Sequence, residues 1–131
     1  MYLLDTDTVI YLLNGHPRVA ENFKEAYRQP KALSVITYGE LVYGCQKSKM
    51  VVKNLAKLRQ ATEGYHMIDV TRPIVECFGE VKALLTKSGT PVDEFDLLIG
   101  CTALTMNYAI VTNNVRHYQK IPGLEVINWA Q

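Results

Sequence analysis

The chain has 131 residues, of which 48% are hydrophobic and 21% charged, and its formal net charge is +1. That length suits one domain with one core, burying roughly two-thirds of its unfolded surface, and no apolar run is long enough to span a bilayer. Near-neutral charge excludes a protein-wide cationic field for nucleic acid and leaves only a local basic patch to serve that purpose.

Tyr2-Leu3-Leu4 reads as a buried strand that stops at Asp5-Thr6-Asp7-Thr8. A short helix over about 7–13 follows. Ligand sites in open α/β sheets lie outside the carboxyl ends of the strands, which places Asp5 where chemistry is done. Asp and Thr are also good helix caps, so both readings stand at this point. Asn14-Gly15-His16-Pro17 is a breaker cluster. Residues 18–28 fit a helix with Val19, Phe23 and Tyr27 on one side, and 32–36 a second strand.

Residues 37–46 show a helical stripe of Tyr38, Leu41, Val42 and Cys45. Lys47 to Arg59 reads as a further helix with five basic residues and no acid. A third strand covers 66–70. Thr71 then caps a helix whose stripe is Ile74, Cys77, Phe78, Val81, Leu84 and Leu85, with Pro73 in its first turn. Gly89 closes that helix. An apolar helix spans about 94–106, a strand 109–112, and a last short strand 125–127. Apolar strands alternating with helices predict an α/β fold with a parallel sheet covered on both faces.

Cys45, Cys77 and Cys101 fit no zinc or redox spacing, and an odd count is a poor disulfide framework. They read as small core residues. With no signal peptide apparent, a cytoplasmic location is expected.

The segment from Phe95 to Leu104 is apolar nearly all round, which predicts a buried helix. Asp96 shares its face with Ile99, Gly100 and Ala103 and therefore needs a partner. It reads either as a first-turn acid favoured by the helix dipole or as a metal ligand. Glu40 lies opposite the Tyr38 stripe, so periodicity makes it a surface residue. Gly39 and Gly44 are unusual inside a helix and suggest close approach of something to that face. Asn113-Asn114 ends the 109–112 strand as turn residues or as site residues. If Asp5, Glu40 and Asp96 converge, two carboxylates about 4 Å apart repel by roughly 4 kcal/mol at an effective dielectric of about 20. Oxygen-only ligands suit Mg2+ or Mn2+ rather than zinc. Such a site activates water and stabilises charge on a phosphoryl oxygen, which points to phosphodiester hydrolysis.

Four stretches carry a resemblance: LLDTDTVIYLL, SVITYGELVYGCQKS, GTPVDEFDLLIGCTAL and IVTNNVRHYQKIPGLEVINW. In that order they resemble the PIN-domain ribonucleases, specifically the VapC toxins of type II toxin–antitoxin modules, over nearly the whole chain. The resemblance implies one PIN domain over 1–131, a three-layer α/β/α sandwich around a central parallel sheet. It implies a Mg2+- or Mn2+-dependent endoribonuclease that cuts tRNA or ribosomal RNA. Asp5, Glu40 and Asp96 match the family's acids, with Asp5 and Asp96 as main metal ligands and Glu40 as a second-metal or water-mediated ligand. Asn114 falls where many members carry Asp, and would orient solvent. Thr112 would hold an acidic neighbour in place. The implied partners are an RNA substrate, a VapB-type antitoxin and a second copy of the chain, with no membrane. Two further departures are Asp7, where Asn is common, and Gly100, where Ala is usual. Asp7 then reads as a helix-capping neighbour of Asp5.

Lys47, Lys49, Lys53, Lys57 and Arg59 form the only dense basic run. Lys53 and Lys57 are candidates for RNA or antitoxin contact, against a solvated helix face. Arg116 and His117, close after Asn114, could meet phosphate near the metals, and Arg116 is the better candidate because guanidinium pairs well with phosphate. His16, His66 and His117 form no ligand spacing, and none is assigned to catalysis. Asp5-Thr6-Asp7-Thr8-Val9 also satisfies the first motif of haloacid-dehalogenase-like phosphatases, with Asp5 as nucleophile. There the Thr-Asn element should precede the late acids, but Thr112-Asn113 follows Asp93 and Asp96. A catalytically inactive PIN-like binding module is the other alternative.

Overall fold

The computed structural model describes residues 1–131. Five parallel strands form one sheet: β1 (Tyr2–Leu4), β2 (Lys31–Ser34), β3 (His66–Ile68), β4 (Ala109–Val111) and β5 (Val126–Ile127). Their order across the sheet is β3-β2-β1-β4-β5. The first strand to be made is therefore the central one, flanked by β2 and β4. Successive side chains of a strand point to opposite faces. Leu3 accordingly joins one core with Ala32, Ile68 and Ile110, while Leu4 joins the other with Leu33 and Val111.

Seven helices cover the two faces. The Leu4 core is closed by α1 (Thr6–Leu13), α2 (Pro17–Glu25), α3 (Val35–Gln46) and α4 (Val51–Thr62), through Val9, Val19, Leu41 and Leu58. The Leu3 core is closed by α5 (Arg72–Lys87), α6 (Glu94–Met106) and α7 (Val115–Tyr118), through Ile74, Val81, Leu97, Ile99 and Tyr118. This is the expected three-layer α/β/α arrangement. Trp129 packs edge-on against Tyr2 and Phe23, and its carbonyl accepts from the Asn22 amide at 2.9 Å, which ties the end of the chain to α2.

The differences from expectation are local. The 32–36 strand stops at Ser34, whose hydroxyl accepts the Ile36 N–H at 3.1 Å and caps α3, so Val35 and Ile36 are helical. The basic stretch does not run on from α3. Ser48 turns its hydroxyl onto the Cys45 carbonyl, the Asn54 amide reaches back to Ser48, and α4 begins only at Val51. The second helix ends at Glu25, which leaves Tyr27 70% exposed rather than on its apolar side. Leu84 is half exposed despite its place in the predicted stripe. The strand at 66–70 ends at Ile68, and the one at 109–112 ends at Val111. A Cβ at Gly39 or Gly44 would meet no atom within 4 Å, so the close approach expected there does not occur within the chain. The apolar helix behaves as predicted. α6 ends where Asn107 adopts the left-handed conformation (φ 59°). No helix is long and apolar enough to cross a membrane.

Ile110 is fully buried on the central pair β1–β4. Ile110→Ala leaves a cavity that the sheet cannot close, so urea unfolding should show a loss of about 2–5 kcal/mol with an unchanged denaturant slope.

Candidate active site

The register of β1 against β4 pairs Leu4 with Val111, so Asp5 and Thr112 emerge side by side at the carboxyl edge. The Asp5 N–H bonds the Val111 carbonyl at 2.9 Å, which fixes the backbone at this point. Asp5 is only 5% exposed. Its Oδ1 accepts the Thr6 N–H at 2.8 Å, making Asp5 the cap of α1. The same oxygen accepts the Tyr118 hydroxyl at 3.0 Å, and Oδ2 accepts the Thr112 hydroxyl at 2.7 Å. Burial raises the Asp5 carboxyl to about 7, the neighbouring Asp7 charge adds to the rise, and the three hydrogen bonds oppose it.

Asp7 is not the cap. It lies in the first turn of α1, and its Oδ2 accepts the Asn113 N–H at 3.0 Å. Burial raises its carboxyl as well. Asp7 thus ties α1 to the turn after β4.

Asp96 enters from the first turn of α6, beneath a cap formed by the Asp93 carboxylate on the Phe95 and Asp96 N–H groups. Its Oδ2 lies 2.8 Å from His117 Nδ1, and that ring nitrogen lies 2.8 Å from the Asn114 side-chain amide. A carboxylate only accepts. The proton of Nδ1 is therefore directed toward Asp96, and the Asn114 nitrogen Nδ2 stands beside the same ring atom. The Asn114 N–H donates to Thr112 Oγ1 at 2.9 Å. Thr112 accepts from Asn114 and donates to Asp5, so one buried hydroxyl joins the two halves of the site.

Glu40 does not lie free on the surface as periodicity suggests. It is half-buried, and its Oε1 accepts the Thr6 hydroxyl at 2.7 Å. The hydrogen bonds thus run from Glu40 through Thr6 to Asp5, then through Thr112 to Asn114, His117 and Asp96. All four predicted site residues belong to one connected set. Asp5 and Asp96 also face a common group: burial first, then the charges of Asp5 and Asp96, push the Tyr118 phenol far above its ordinary range. It stays protonated and donates.

The three acids do not converge as a ready cage, for no three acidic, histidine or cysteine side chains meet at one point. Glu40 is turned to Thr6 and Asp96 to His117. The donors themselves are hard oxygens, and Asp5 is a buried acid beside a second acid. Such donors suit a hard divalent cation, and Glu40 is joined to Asp5 through the hydroxyl and N–H of Thr6.

Arg116 is exposed and borders a cavity of about 570 Å³ with Asn114, His117 and Lys120, on the Asp96 side. Lys57 borders a second cavity of about 500 Å³ that reaches Glu40, with Ile10, Leu13 and Leu41 on its walls. Lys53 is exposed on α4 and lines neither cavity. His117 was legible as a possible phosphate contact but not as the partner of Asp96, and Tyr118 was not legible as a site residue. Their one signal is spacing, three and four residues after Asn114.

The fold and these side chains define a class: an α/β/α domain whose acids gather at the carboxyl edge of a parallel sheet. The PIN domain family matches residues 2–123. The chain belongs to that family and, within it, to the VapC ribonucleases. Ribonuclease VapC2 of Rickettsia felis is 34% identical over 98% of both chains. A tRNA(fMet)-specific endonuclease VapC of Salmonella typhimurium is 30% identical, again over 98% of both. The crystal structure of VapBC2 from Rickettsia felis bound to a promoter DNA fragment has a similar chain, with TM-score 0.90, 32% identity and 98% coverage of each.

A carboxyl raised by burial binds its proton more tightly in the folded chain than in the unfolded one. Its contribution is complete below the unfolded value and is lost as pH climbs through the folded value. With Asp5 raised from 3.8 to about 7, the metal-free protein should lose stability between about pH 4 and about pH 7. Thermal melts across that range should show the fall, and Asp5→Asn should remove most of it.

Proposed function

We propose that this chain is a Mg2+- or Mn2+-dependent endoribonuclease, the toxin of a type II toxin–antitoxin pair, cutting structured RNA such as tRNA or ribosomal RNA in the cytoplasm. The observation that carries the reading is the hydrogen-bonded path from a buried Asp5 through Thr112, Asn114 and His117 to Asp96, at the edge where sheet, α1, α6 and α7 meet. The VapC relatives support the reaction class, and the VapBC complexes among the structural neighbours support a VapB-type antitoxin as partner. Residues 1–131 act as one PIN domain, with a homodimer and a toxin–antitoxin hetero-oligomer as its assemblies.

A cation at this site would lower the pKa of water and offset charge developing on a phosphoryl oxygen. The chain's own residues do the rest. Asp5 and Asp96 supply the anionic oxygens. Thr112 holds Asp5 in its rotamer, and His117 does the same for Asp96. Glu40 is joined to Asp5 through Thr6, whose hydroxyl donates a hydrogen bond to Glu40 and whose N–H donates to Asp5. Asn114 sets its side-chain amide against His117 beside Asp96, where it would orient solvent. Arg116 and Lys120 border the adjoining cavity and offer cations to the RNA backbone. The phosphatase alternative, with Asp5 as nucleophile, needs a free acid/base at Asp7, and that carboxylate is bonded to the Asn113 backbone.

Asp96→Asn should abolish Mg2+-dependent cleavage of a tRNA pool, and EDTA should do the same to the wild type, with far-ultraviolet circular dichroism unchanged in the variant. Full activity of Asp96→Asn would sink the metal assignment, and a wild type inert toward every RNA offered would leave a binding module. Lys53→Gln with Lys57→Gln should weaken binding to RNA or antitoxin and lower the slope of log K against log salt by about one to two. Unchanged binding of both partners would make that α4 face solvent-exposed surface only.

A further inference from the structure

A carboxylate has two oxygens and about four acceptor positions. On Asp5, Oδ1 spends both of its positions, one on the Thr6 N–H at 2.8 Å and one on the Tyr118 hydroxyl at 3.0 Å. Oδ2 spends one on the Thr112 hydroxyl at 2.7 Å. The Thr112 proton is committed to Asp5, because its oxygen already accepts from Asn114 and the alternative acceptor on Asp7 is 3.5 Å away. One acceptor position remains, on Oδ2.

We propose that Tyr118 is a positioning residue that closes Asp5 Oδ1, so that Asp5 takes its cation through Oδ2 alone, as a one-oxygen ligand. The inference rests on the reading of Asp5 as a cation ligand. Tyr118 is suited to the task because its ring has no freedom: it is fully buried and set within the Leu3 core. A hydroxyl delivered by such a ring arrives at a fixed point, unlike one on a solvent-exposed chain.

Gly100 makes that seat possible. A Cβ at position 100 would lie 2.5 Å from Ile121 Cδ1 and 3.3 Å from Tyr118 Cδ1. The isoleucine methyl can rotate away, but the tyrosine ring is fully buried and must give by a few tenths of an ångström to admit the methyl. Gly100 on α6 and Tyr118 on α7 are therefore one device. The missing methyl on one helix lets the phenol of the other reach β1. The departure from the usual Ala at position 100, noted in the sequence, acquires a physical role here.

The test uses Mn2+ as the probe, with its affinity read from the electron paramagnetic resonance of the free ion. Tyr118→Phe keeps the ring and removes only the hydroxyl. It should raise the Mn2+ Kd on the order of tenfold, with the metal-free protein still folded and melting cooperatively. In carboxylate infrared difference spectra on adding Mn2+, the Asp5 band, identified by its loss in Asp5→Asn, should show the wide splitting of a one-oxygen ligand in the wild type. The splitting should narrow in Tyr118→Phe, where one acceptor position of Oδ1 opens beside the Thr6 N–H. Gly100→Ala should weaken Mn2+ binding in the wild-type background and add nothing in the Tyr118→Phe background. Wild-type affinity and splitting in Tyr118→Phe, alongside lost binding in Asp5→Asn, would overturn the role of Tyr118 alone. Undiminished Mn2+ binding by Asp5→Asn would overturn the metal reading and this inference with it.

Discussion

The site depends on keeping one carboxylate dry. Asp5 is the first residue beyond the central strand, and the sheet, α1 and α7 close around it until almost none of it meets water. Burial of an acid is unfavourable unless donors or a cation compensate. Here three donors come from three separate pieces of chain: the α1 backbone, the turn after β4, and α7. Each of those pieces is placed by an element that exists for packing. The acid thus converts a purely structural convergence into a site, and its proton affinity is raised because burial and the Asp7 charge outweigh those three bonds.

The order of strands explains why those pieces can meet. Because β1 is central, both of its neighbours deliver their following turns to the same edge. β4 brings Thr112 and Asn114, and β2 is followed by α3, which carries Glu40. The two cores then fix the angles from which side chains enter. The Leu4 core holds α1 and α3, whose Thr6 and Glu40 bond each other, while the Leu3 core holds α6 and α7, whose Asp96 and His117 bond each other. Asp5 and Thr112 lie at the seam. Disturbance in either layer is therefore felt at the seam through packed side chains, and the hydrogen bonds only transmit what the cores set.

Much of this was legible in the residues. The alternation of apolar runs and helical stripes predicted the parallel sheet, and an acid in the buried-looking helix at 96 predicted a partner, which is His117. Resemblance carried Glu40, because a helical wheel sends it away from the stripe of α3. The wheel failed for a physical reason: the hydroxyl of Thr6 on α1 covers that side, and a contact between helices leaves no periodic trace in either. Ser34 was misread because Val35 and Ile36 favour strands, whereas the serine cap starts α3 before their preference matters. The basic run after α3 kept a helical pattern that Ser48 and Asn54 interrupt with side-chain bonds to neighbouring groups.

The bond from His117 to Asp96 and the place of Tyr118 escaped detection for a different reason, and it bears on how the site works. α7 has only four residues, Val115–Tyr118, too few to show any period. Such a short helix is also too weak to hold itself by backbone bonds alone. What holds it is Tyr118, whose buried ring anchors its end in the Leu3 core while the preceding imidazole and amide stay at the surface of the site. Anchoring and chemistry are thus separated by a single residue. A rigid phenol fixes α7, and through it His117 and Asn114 are held against Asp96. The least regular helix of the chain is for that reason the one on which both acids depend.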